Sequence, residues 1–258
     1  MSAILEARGL FKNFGAVSAA ADINVAVSAD SVTGLIGSNG AGKTTFLNMV
    51  TGYLKPGAGS IHFDGHEITH LTPRRITQLG ISRSFQVPQL FDTLSVAANL
   101  QAAAGIVAAA AKRWARGAIA HGRAGAVADD MLERFGLAAY RDQPAGTLPE
   151  GVRKLLDIAM SLAAKPRILL LDEPTSGVSA DEKFGIMDTV AAAVRAQQVT
   201  VLFVEHDMDI VSRYAQRVLA FYDGRIIADG APATVLKDGE VCKYVIGEEL
   251  HEPRSRDR

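Results

Sequence analysis

Apolar runs and helical periodicities alternate in the first and last parts of the chain. Val32–Ile36 is a short apolar run, and Lys43–Val50 after it has the pattern of a helix. Ile168–Leu171 and Val199–Val204 are continuous apolar runs, which are typical of strands buried on both faces of a parallel sheet. A helix between these two runs is predicted by apolar residues at helical spacing: Phe184, Met187, Ala191 and Val194. The alternation predicts an α/β core with a mainly parallel sheet.

Other segments depart from this alternation. Ile23–Val27 alternates apolar and polar residues, as a half-buried strand does. An Asp-Gly pair closes the segments Ser60–Gly65 and Phe221–Gly224, which predicts two β-hairpins. From about Ser95 to Ala164 the composition is helical. The α/β core is therefore predicted to be interrupted by a helical insertion.

Composition places the chain among ordinary globular proteins. It has 258 residues, 48% hydrophobic and 21% charged, with a net charge of −1. This balance argues against a nucleic-acid binder, which would usually be basic on at least one face. The single cysteine, Cys242, suits a reducing compartment. Glu6 and Arg8 interrupt the apolar run that a signal peptide would need, and the apolar stretch Ala102–Ala111 is far shorter than a spanning helix of about 20 residues. We therefore expect contact with a membrane only through other proteins.

A glycine-rich segment stands where the first apolar run passes into the first predicted helix. Gly37-Ser-Asn-Gly-Ala-Gly-Lys-Thr44 fits G-x-x-x-x-G-K-[ST], the phosphate-binding loop. Its glycines let the backbone curve so that N–H groups point at the phosphates, and the helix adds the positive end of its dipole. Lys43 is expected to reach the β- and γ-phosphates, and the Thr44 hydroxyl to ligate Mg²⁺. The segment predicts a nucleoside-triphosphate site.

Two acids end the apolar run that begins at Ile168. Asp172 is placed to hold Mg²⁺, usually through water. Glu173 is placed beside the γ-phosphate, where a carboxylate can polarise the attacking water. An Asp-Glu pair at a strand end is common by itself, but together with the phosphate loop it predicts hydrolysis of the bound nucleotide.

Five further segments, in chain order, give the sequence a resemblance to the ABC ATPase family that covers nearly the whole chain. They are Lys12-Asn-Phe14, Ser84-Phe-Gln86, Leu148-Pro-Glu-Gly-Val152, Ser176-Gly-Val-Ser179 and Val204-Glu-His206-Asp. In that order they resemble the family's aromatic loop, glutamine loop, signature, dimer-contact loop and switch histidine. Lys43 and Asp172 are far enough apart in the chain for the helical subdomain of this family.

The resemblance implies a fold. It is an α/β, P-loop NTPase core with a mainly parallel sheet, an antiparallel β subdomain and an inserted α-helical subdomain at about residues 88–164. All three parts are expected in one nucleotide-binding domain, residues 1–250, followed by a charged tail, residues 251–258.

The resemblance also implies site residues for ATP and Mg²⁺. The catalytic residues are expected to be Glu173, His206, Lys43 and Gln86. Phe14 is expected to stack on adenine, and Gln86 to sense the γ-phosphate and to couple to the membrane partner. The remaining contacts to ATP are expected from Ser38, Asn39, Gly40, Ala41, Gly42, Lys43, Thr44, Thr45 and Asp172. Mg²⁺ is expected at Thr44, Gln86 and Asp172, in part through water.

Finer resemblance points to the branched-chain amino-acid uptake branch, which includes urea and short-amide importers. The segments that carry it are Thr51–Pro56, Gly80–Phe91, Val204–Met208 and Val241–Glu249. The implied function is hydrolysis of MgATP to power uptake of branched-chain amino acids or related small polar solutes. The implied partners are membrane-spanning permease subunits, a second, different ATPase and a periplasmic or extracellular binding protein, with no nucleic acid. The implied location is cytoplasmic, peripheral on the inner face of the cell membrane.

The signature segment departs from the family pattern Leu-Ser-Gly-Gly-Gln. Pro149 replaces the serine and Val152 the glutamine, while Leu148 and Gly151 remain. In the family, this serine hydroxyl holds the γ-phosphate bound by the opposite subunit. Pro149 has neither a hydroxyl nor an N–H, and Glu150 adds a negative charge close to the expected phosphate. We expect the segment to stand directly before a helix from Arg153, and to weaken the partner's site but not this chain's own.

Three alternatives remain open from sequence. One is the ATPase of a lipid or lipopolysaccharide exporter. Another is a non-transport ABC ATPase that acts on DNA or ribosomes, although such proteins usually carry a second cassette or a long coiled coil. The third is a regulatory pseudo-ATPase, suggested by Pro149 and opposed by the presence of Lys43, Asp172, Glu173 and His206.

Overall fold

Two β-sheets and a group of helices form the part of the chain that the computed structural model describes, residues 3–111 and 117–247. The predicted charged tail, residues 251–258, lies outside the described residues. The described strands are β1 (Ala3–Phe14), β2 (Val17–Ser28), β3 (Val32–Gly37), β4 (Ala58–Phe63), β5 (His66–Glu67), β6 (Ile81–Ser84), β7 (Ile168–Asp172), β8 (Thr200–Val204), β9 (Arg217–Tyr222) and β10 (Arg225–Gly230).

The helices include those that the sequence predicts after β3, in the insertion and between β7 and β8. They are α1 (Lys43–Val50), α2 (Pro73–Leu79), α3 (Val96–Ala111), α4 (Gly117–Arg134), α5 (Glu150–Ala163), α6 (Ala180–Gln197), α7 (Met208–Tyr214), α8 (Pro232–Val235) and α9 (Gly239–Val241). Short 3-10 turns cover Ala138–Tyr140 and Ala145–Thr147, and a π-helical turn covers Cys242–Ile246.

The larger sheet positions the chemistry. Its strand order is β10-β9-β3-β8-β7-β6, with β6, β7, β8, β3 and β9 parallel and β10 antiparallel to β9. Every residue of β7 and β8 is buried, which confirms the prediction made from their continuous apolar runs. Because these strands run in parallel, the residues that follow β3, β6, β7 and β8 meet at one edge of the sheet.

The smaller sheet is antiparallel, in the order β2-β1-β4-β5. Both predicted hairpins are present: Phe63 pairs with His66, and Tyr222 pairs with Arg225. The Asp-Gly pair between the strands has positive φ at both residues in each turn, which is the conformation that a two-residue hairpin favours.

The helical part, α3, α4 and α5, lies between β6 and β7 in the chain. Apolar residues of α4 and α5 join β7, β8 and α6 in one continuous core cluster. Together with the two sheets, these helices confirm the predicted fold class. The predicted start of the helix after the signature is wrong, because α5 begins at Glu150 rather than Arg153. Pro149 is its N-cap with φ −57° and ψ 152°, so three signature residues lie inside the helix.

Within residues 3–111 and 117–247, no helix has the length and apolar character needed to cross a membrane.

Candidate active site

The phosphate loop connects β3 to α1, as its sequence predicts. Ser38, Asn39 and Gly40 are exposed, Ala41, Gly42 and Lys43 are buried, Thr44 is exposed and Thr45 is half-buried. α1 begins at Lys43, and its N-cap is Gly42, which has no side chain to cap the first amides. The first turn of the helix therefore keeps N–H groups at the loop, where they can bind an anion.

Gly42 holds the loop against the smaller sheet. Its φ is +108°, and a Cβ at this position would stand 2.6 Å from the carbonyl oxygen of Ala19 in β2. Only glycine tolerates both the positive φ and this approach. The β1–β2 hairpin, which carries Phe14 at the end of β1, is thereby packed beside the phosphate loop.

Lys43 is buried beneath the loop. Its Nζ donates hydrogen bonds to the carbonyl oxygens of Gly37, at 2.6 Å, and Ser38, at 3.0 Å. Burial lowers the pKa of Lys43, and the charges of Glu173 and Asp172 act in the opposite direction. The two acids that follow the β7 run thus lie within electrostatic reach of the phosphate-loop lysine.

Asp172 is paired with a residue that sequence reasoning missed. The Arg83 guanidinium donates to Asp172 Oδ2 at 2.6 Å and to Asn48 Oδ1 of α1, also at 2.6 Å. Only 5% of the Arg83 side chain and 7% of the Asp172 side chain are exposed. Arg83 therefore links β6, β7 and the phosphate-loop helix behind the expected metal site. The signal in the sequence was a charged residue, Arg83, between Ser82 and Ser84 in a segment that leads to Gln86.

The carboxylate of Glu173 lies between two other predicted site residues. Gln86 Nε2 donates to Glu173 Oε2 at 2.7 Å, and His206 Nε2 lies 3.1 Å from Glu173 Oε1. Gln86 and His206 are exposed, and the Glu173 side chain is 20% exposed. These three residues, called here the Glu173 cluster, come from the loops after β6, β7 and β8, so the order of the parallel strands brings them together. A carboxylate held this way has the position and the access to water that a general base needs.

A buried acid, Glu205, joins the loops that carry Glu173 and His206. Its Oε1 accepts from the Thr175 backbone N–H at 3.0 Å and from Thr175 Oγ1 at 2.7 Å, and its Oε2 accepts from the His206 N–H at 3.2 Å. Glu205 is 4% exposed. It was missed because an acid directly after an apolar strand gives no sign of which loop it will meet.

Asp157 of α5 performs a similar task for the glutamine loop. It accepts from Ser84 Oγ at 2.6 Å, from the Phe85 N–H at 3.3 Å and from the Gln89 N–H at 3.0 Å. Burial raises the pKa of Asp157, and these hydrogen bonds together with the charge of Lys154 oppose the rise. An acid on the apolar face of a core helix was the signal that sequence reasoning passed over.

Phe14 is not part of this network. The residue is 52% exposed, and Lys12 Nζ lies 5.6 Å from the ring centroid. The open ring at the end of β1 is available for stacking on a base.

The signature segment lies beside the Glu173 cluster, at the start of α5, and is not one of its members. Leu148 is buried, while Pro149 and Glu150 are exposed at the start of α5. No side chain of the segment caps the helix, and Glu150 Cγ lies 3.9 Å from the position of a Cβ on Gly177 in the dimer-contact loop. The segment thus presents an acid where the family has glycine.

The chain was compared with known proteins. The family model for the ABC transporter matches residues 20–176, more than half of the chain. The high-affinity branched-chain amino acid transport ATP-binding protein BraF of Pseudomonas aeruginosa is 34% identical, over 95% of this chain and 98% of BraF. LivG of Escherichia coli, which carries the same description, is 31% identical with the same coverage.

Solved structures give the same result. The ADP conformation of MJ1267, an ATP-binding cassette of an ABC transporter, has a TM-score of 0.82 and 30% identity, over 96% of this chain and all of that one. CbiO1 of Clostridium perfringens, part of the ABC transporter complex cbiONQ, has a TM-score of 0.80 and 29% identity, with 94% of each chain covered. With the family model and BraF, these matches establish that the chain belongs to the ABC transporter family, as an ATP-binding subunit that hydrolyses ATP.

Proposed function

We propose that this chain hydrolyses MgATP with Glu173 as general base, and that hydrolysis powers the uptake of branched-chain amino acids or related small polar solutes. The observation that carries the proposal is the position of the Glu173 carboxylate between Gln86 and His206, at the sheet edge that holds the phosphate loop. Direct comparison adds that BraF and LivG are named for branched-chain amino acid transport.

The residues of this chain divide the work of hydrolysis. The loop amides and Lys43 bind the phosphates, and the carbonyl bonds of Lys43 hold its ammonium in place before the nucleotide arrives. Glu173 accepts a proton from the attacking water, and His206 and Gln86 orient its carboxylate. Phe14 stacks on the adenine.

The residues around the phosphate loop fit Mg²⁺, which prefers oxygen ligands and keeps several waters. Thr44 presents an exposed hydroxyl, and Asp172 ends β7 with its Oδ2 bonded to Arg83. Thr44 would hold the ion directly, and Asp172 and Gln86 through water. Once bound, Mg²⁺ neutralises charge on the β- and γ-phosphates.

A groove beside the glutamine loop fits a permease. Its volume is about 320 Å³, its lining is mainly apolar, and it lies between the larger sheet and the helical part. Tyr53, Val87 and Phe91 at or near it are large exposed hydrophobic residues, at 60%, 68% and 51% exposure. Tyr53 packs edge-on against Phe85, next to Gln86, at a centroid distance of 5.8 Å. A cytoplasmic segment of a permease seated here would touch the loop that reaches Glu173. The chain would then sit on the inner face of the cell membrane.

The second ATPase partner follows from the signature. In a head-to-tail pair, Pro149 and Glu150 would face the partner's phosphate, while this chain's Glu173 would face the partner's signature. A different partner with an intact signature would complete this chain's site. The full system would include a periplasmic or extracellular binding protein.

The proposal is tested by Glu173→Gln in the transporter assembled with its permeases and second ATPase. The amide keeps the size of the side chain but cannot accept the proton. ATP affinity should stay unchanged while hydrolysis and solute uptake fall by roughly 10²–10⁴-fold. A variant that hydrolyses ATP at the original rate would refute the role of Glu173. An assembled transporter that moves neither branched-chain amino acids nor related small polar solutes would refute the proposed solute class.

A further inference from the structure

Lys154 lies on α5, one turn after the start of the helix, and its ammonium donates three hydrogen bonds. Its Nζ donates to the Gln86 carbonyl at 3.0 Å, the Glu173 carbonyl at 3.1 Å and Ser176 Oγ at 2.8 Å. An ammonium has three protons, so these acceptors satisfy it completely. They belong to the glutamine loop, the hydrolytic acid and the dimer-contact loop.

Burial makes this arrangement specific. Lys154 is 3% exposed, and a buried charge is stable only when it is hydrogen-bonded and paired. Burial lowers the pKa of Lys154, and the charges of Glu150, Glu205, Glu173 and Asp157 oppose the fall. The pocket therefore suits a cation. An apolar side chain at this position could not make the three hydrogen bonds.

The backbone of Glu173 shows what the cation does. Glu173 has φ +52°, a left-handed conformation that is unfavourable for a residue with a Cβ. Its N–H donates to the Val204 carbonyl at 3.1 Å, and its own carbonyl accepts from Lys154 and from the Ser176 backbone N–H, both at 3.1 Å. Such a conformation persists where the surroundings fix it from several sides. Without Lys154, the Glu173 carbonyl would be held only by Ser176, whose own hydroxyl would have lost its bond to α5. The turn from Glu173 to Ser176 could then shift and take the carboxylate away from Gln86 and His206.

We infer that Lys154 is a positioning residue for ATP hydrolysis: it holds Glu173 in its left-handed conformation and ties the Gln86 and Ser176 loops to the helix that begins in the signature. The inference rests on the proposed role of Glu173 as general base. All three protons of the buried Lys154 ammonium are used within the chain, so Lys154 acts through the residues it holds.

The same helix offers a matched control. Arg153, the preceding residue, is also cationic and partly buried, but its bonds run to the Ala145 carbonyl at 2.8 Å and to Asp92 at 3.0 Å, within the helical part. Arg153→Met therefore removes a cation from α5 without touching Glu173. Lys154→Met removes the three bonds at nearly constant volume.

The experiment measures ATP affinity of the full chain with a fluorescent ATP analogue, and kcat and KM of the assembled transporter. For Lys154→Met we expect kcat to fall by about ten- to a hundredfold, since a displacement of about 1 Å can cost that much, with ATP affinity unchanged. Lys154→Arg, which retains charge and donors, should recover part of the loss, and Arg153→Met should keep kcat within about twofold. If the Lys154→Met variant does not fold, Lys154→Gln provides the same test. Its amide group can still donate hydrogen bonds, so we expect a smaller loss of kcat.

A reference variant separates this inference from the proposed function. If Glu173→Gln leaves turnover intact, the role of Glu173 fails. If Glu173→Gln abolishes turnover while Lys154→Met does not lower it, only the present inference fails. In the Glu173→Gln background, Lys154→Met should add less than about a twofold further loss, because residues that act as one unit are not additive. A full, independent loss in that background, or an arginine variant no faster than methionine, would overturn the inference.

Discussion

The Glu173 cluster and the signature segment Leu148–Val152 are close neighbours that are built in opposite ways. The side chain and backbone of Glu173 are held by Gln86, His206, Val204 and Lys154. Pro149 and Glu150 are exposed, and no side chain caps the helix that they open. The groups proposed to act on this chain's own ATP are thus fixed within the chain, while those that would act on a partner's ATP are not.

This contrast indicates that the chain's own ATP site and its contribution to a partner's site can change independently. A residue tied by several bonds to distant elements cannot change without disturbing all of them. A residue at an exposed helix start can change with little effect on the fold. The signature could therefore depart from the family pattern while Glu173 did not. In the proposed pair with a second ATPase, the two ATP sites would be unequal.

The largest expected effect tests this inequality directly. In the transporter with two different ATPases, Glu173→Gln in this chain should lower hydrolysis by roughly 10²–10⁴-fold, because it removes the base from the complete site. The equivalent change in the partner should cost less than about tenfold, because that site faces Pro149 and Glu150. Steady-state ATPase assays on the two single variants make the measurement. Equal losses would remove the asymmetry.

Phe14→Ala tests the proposed adenine contact, which lies outside the hydrogen-bond network around Glu173. Loss of the stacking ring should weaken ATP binding by about 1–3 kcal/mol, since stacking on a base is the expected role of this open side chain. Titration calorimetry with ATP measures the effect, and thermal unfolding should stay nearly unchanged because the ring is half exposed. A variant with unaltered affinity would place the adenine contact elsewhere.

Pro149→Ser tests the signature segment. The isolated chain can pair only with itself, so both of its sites lack the serine hydroxyl, and its ATPase activity should be weak. Restoration of the hydroxyl should raise that activity by about tenfold, the low end of what one hydrogen bond to a charged group contributes, because Glu150 and Val152 remain. Pro149→Ala, which adds no hydroxyl, is the control. Vigorous, cooperative hydrolysis by the unaltered homodimer would instead identify Leu148–Val152 as a working signature.

Glu150→Gln should give the smallest effect. Removal of one exposed negative charge near the expected phosphate should raise the activity of the isolated chain by about twofold. The gain should shrink as salt is added, because screening already weakens exposed charges. Activity measured at low and high ionic strength gives the answer, and a salt-independent gain would rule out a charge effect.

Local pattern was a sound guide to the elements and their chemistry. The apolar runs predicted β3, β7 and β8, and the Asp-Gly pairs predicted two hairpins, because each depends on residues adjacent in the chain. The predicted start of α5 was three residues late because the helix was placed after the whole signature segment, whereas Pro149 is the N-cap and the helix begins at Glu150. Boundaries of this kind depend on single dihedral angles that composition does not specify.

Short segments of the chain were enough to predict the phosphate loop, the two acids that follow it along the chain, and the family to which they point. These features are local, since a glycine-rich turn before a helix binds phosphate wherever it occurs. Which side chains meet at this site depends on how distant elements pack. Arg83 reaches Asp172 across 89 positions, and Asp157 reaches Ser84 across 73. Those contacts exist because the order β3-β8-β7-β6 places the ends of four parallel strands side by side and sets α5 across them, and burial then requires each charge to find a partner.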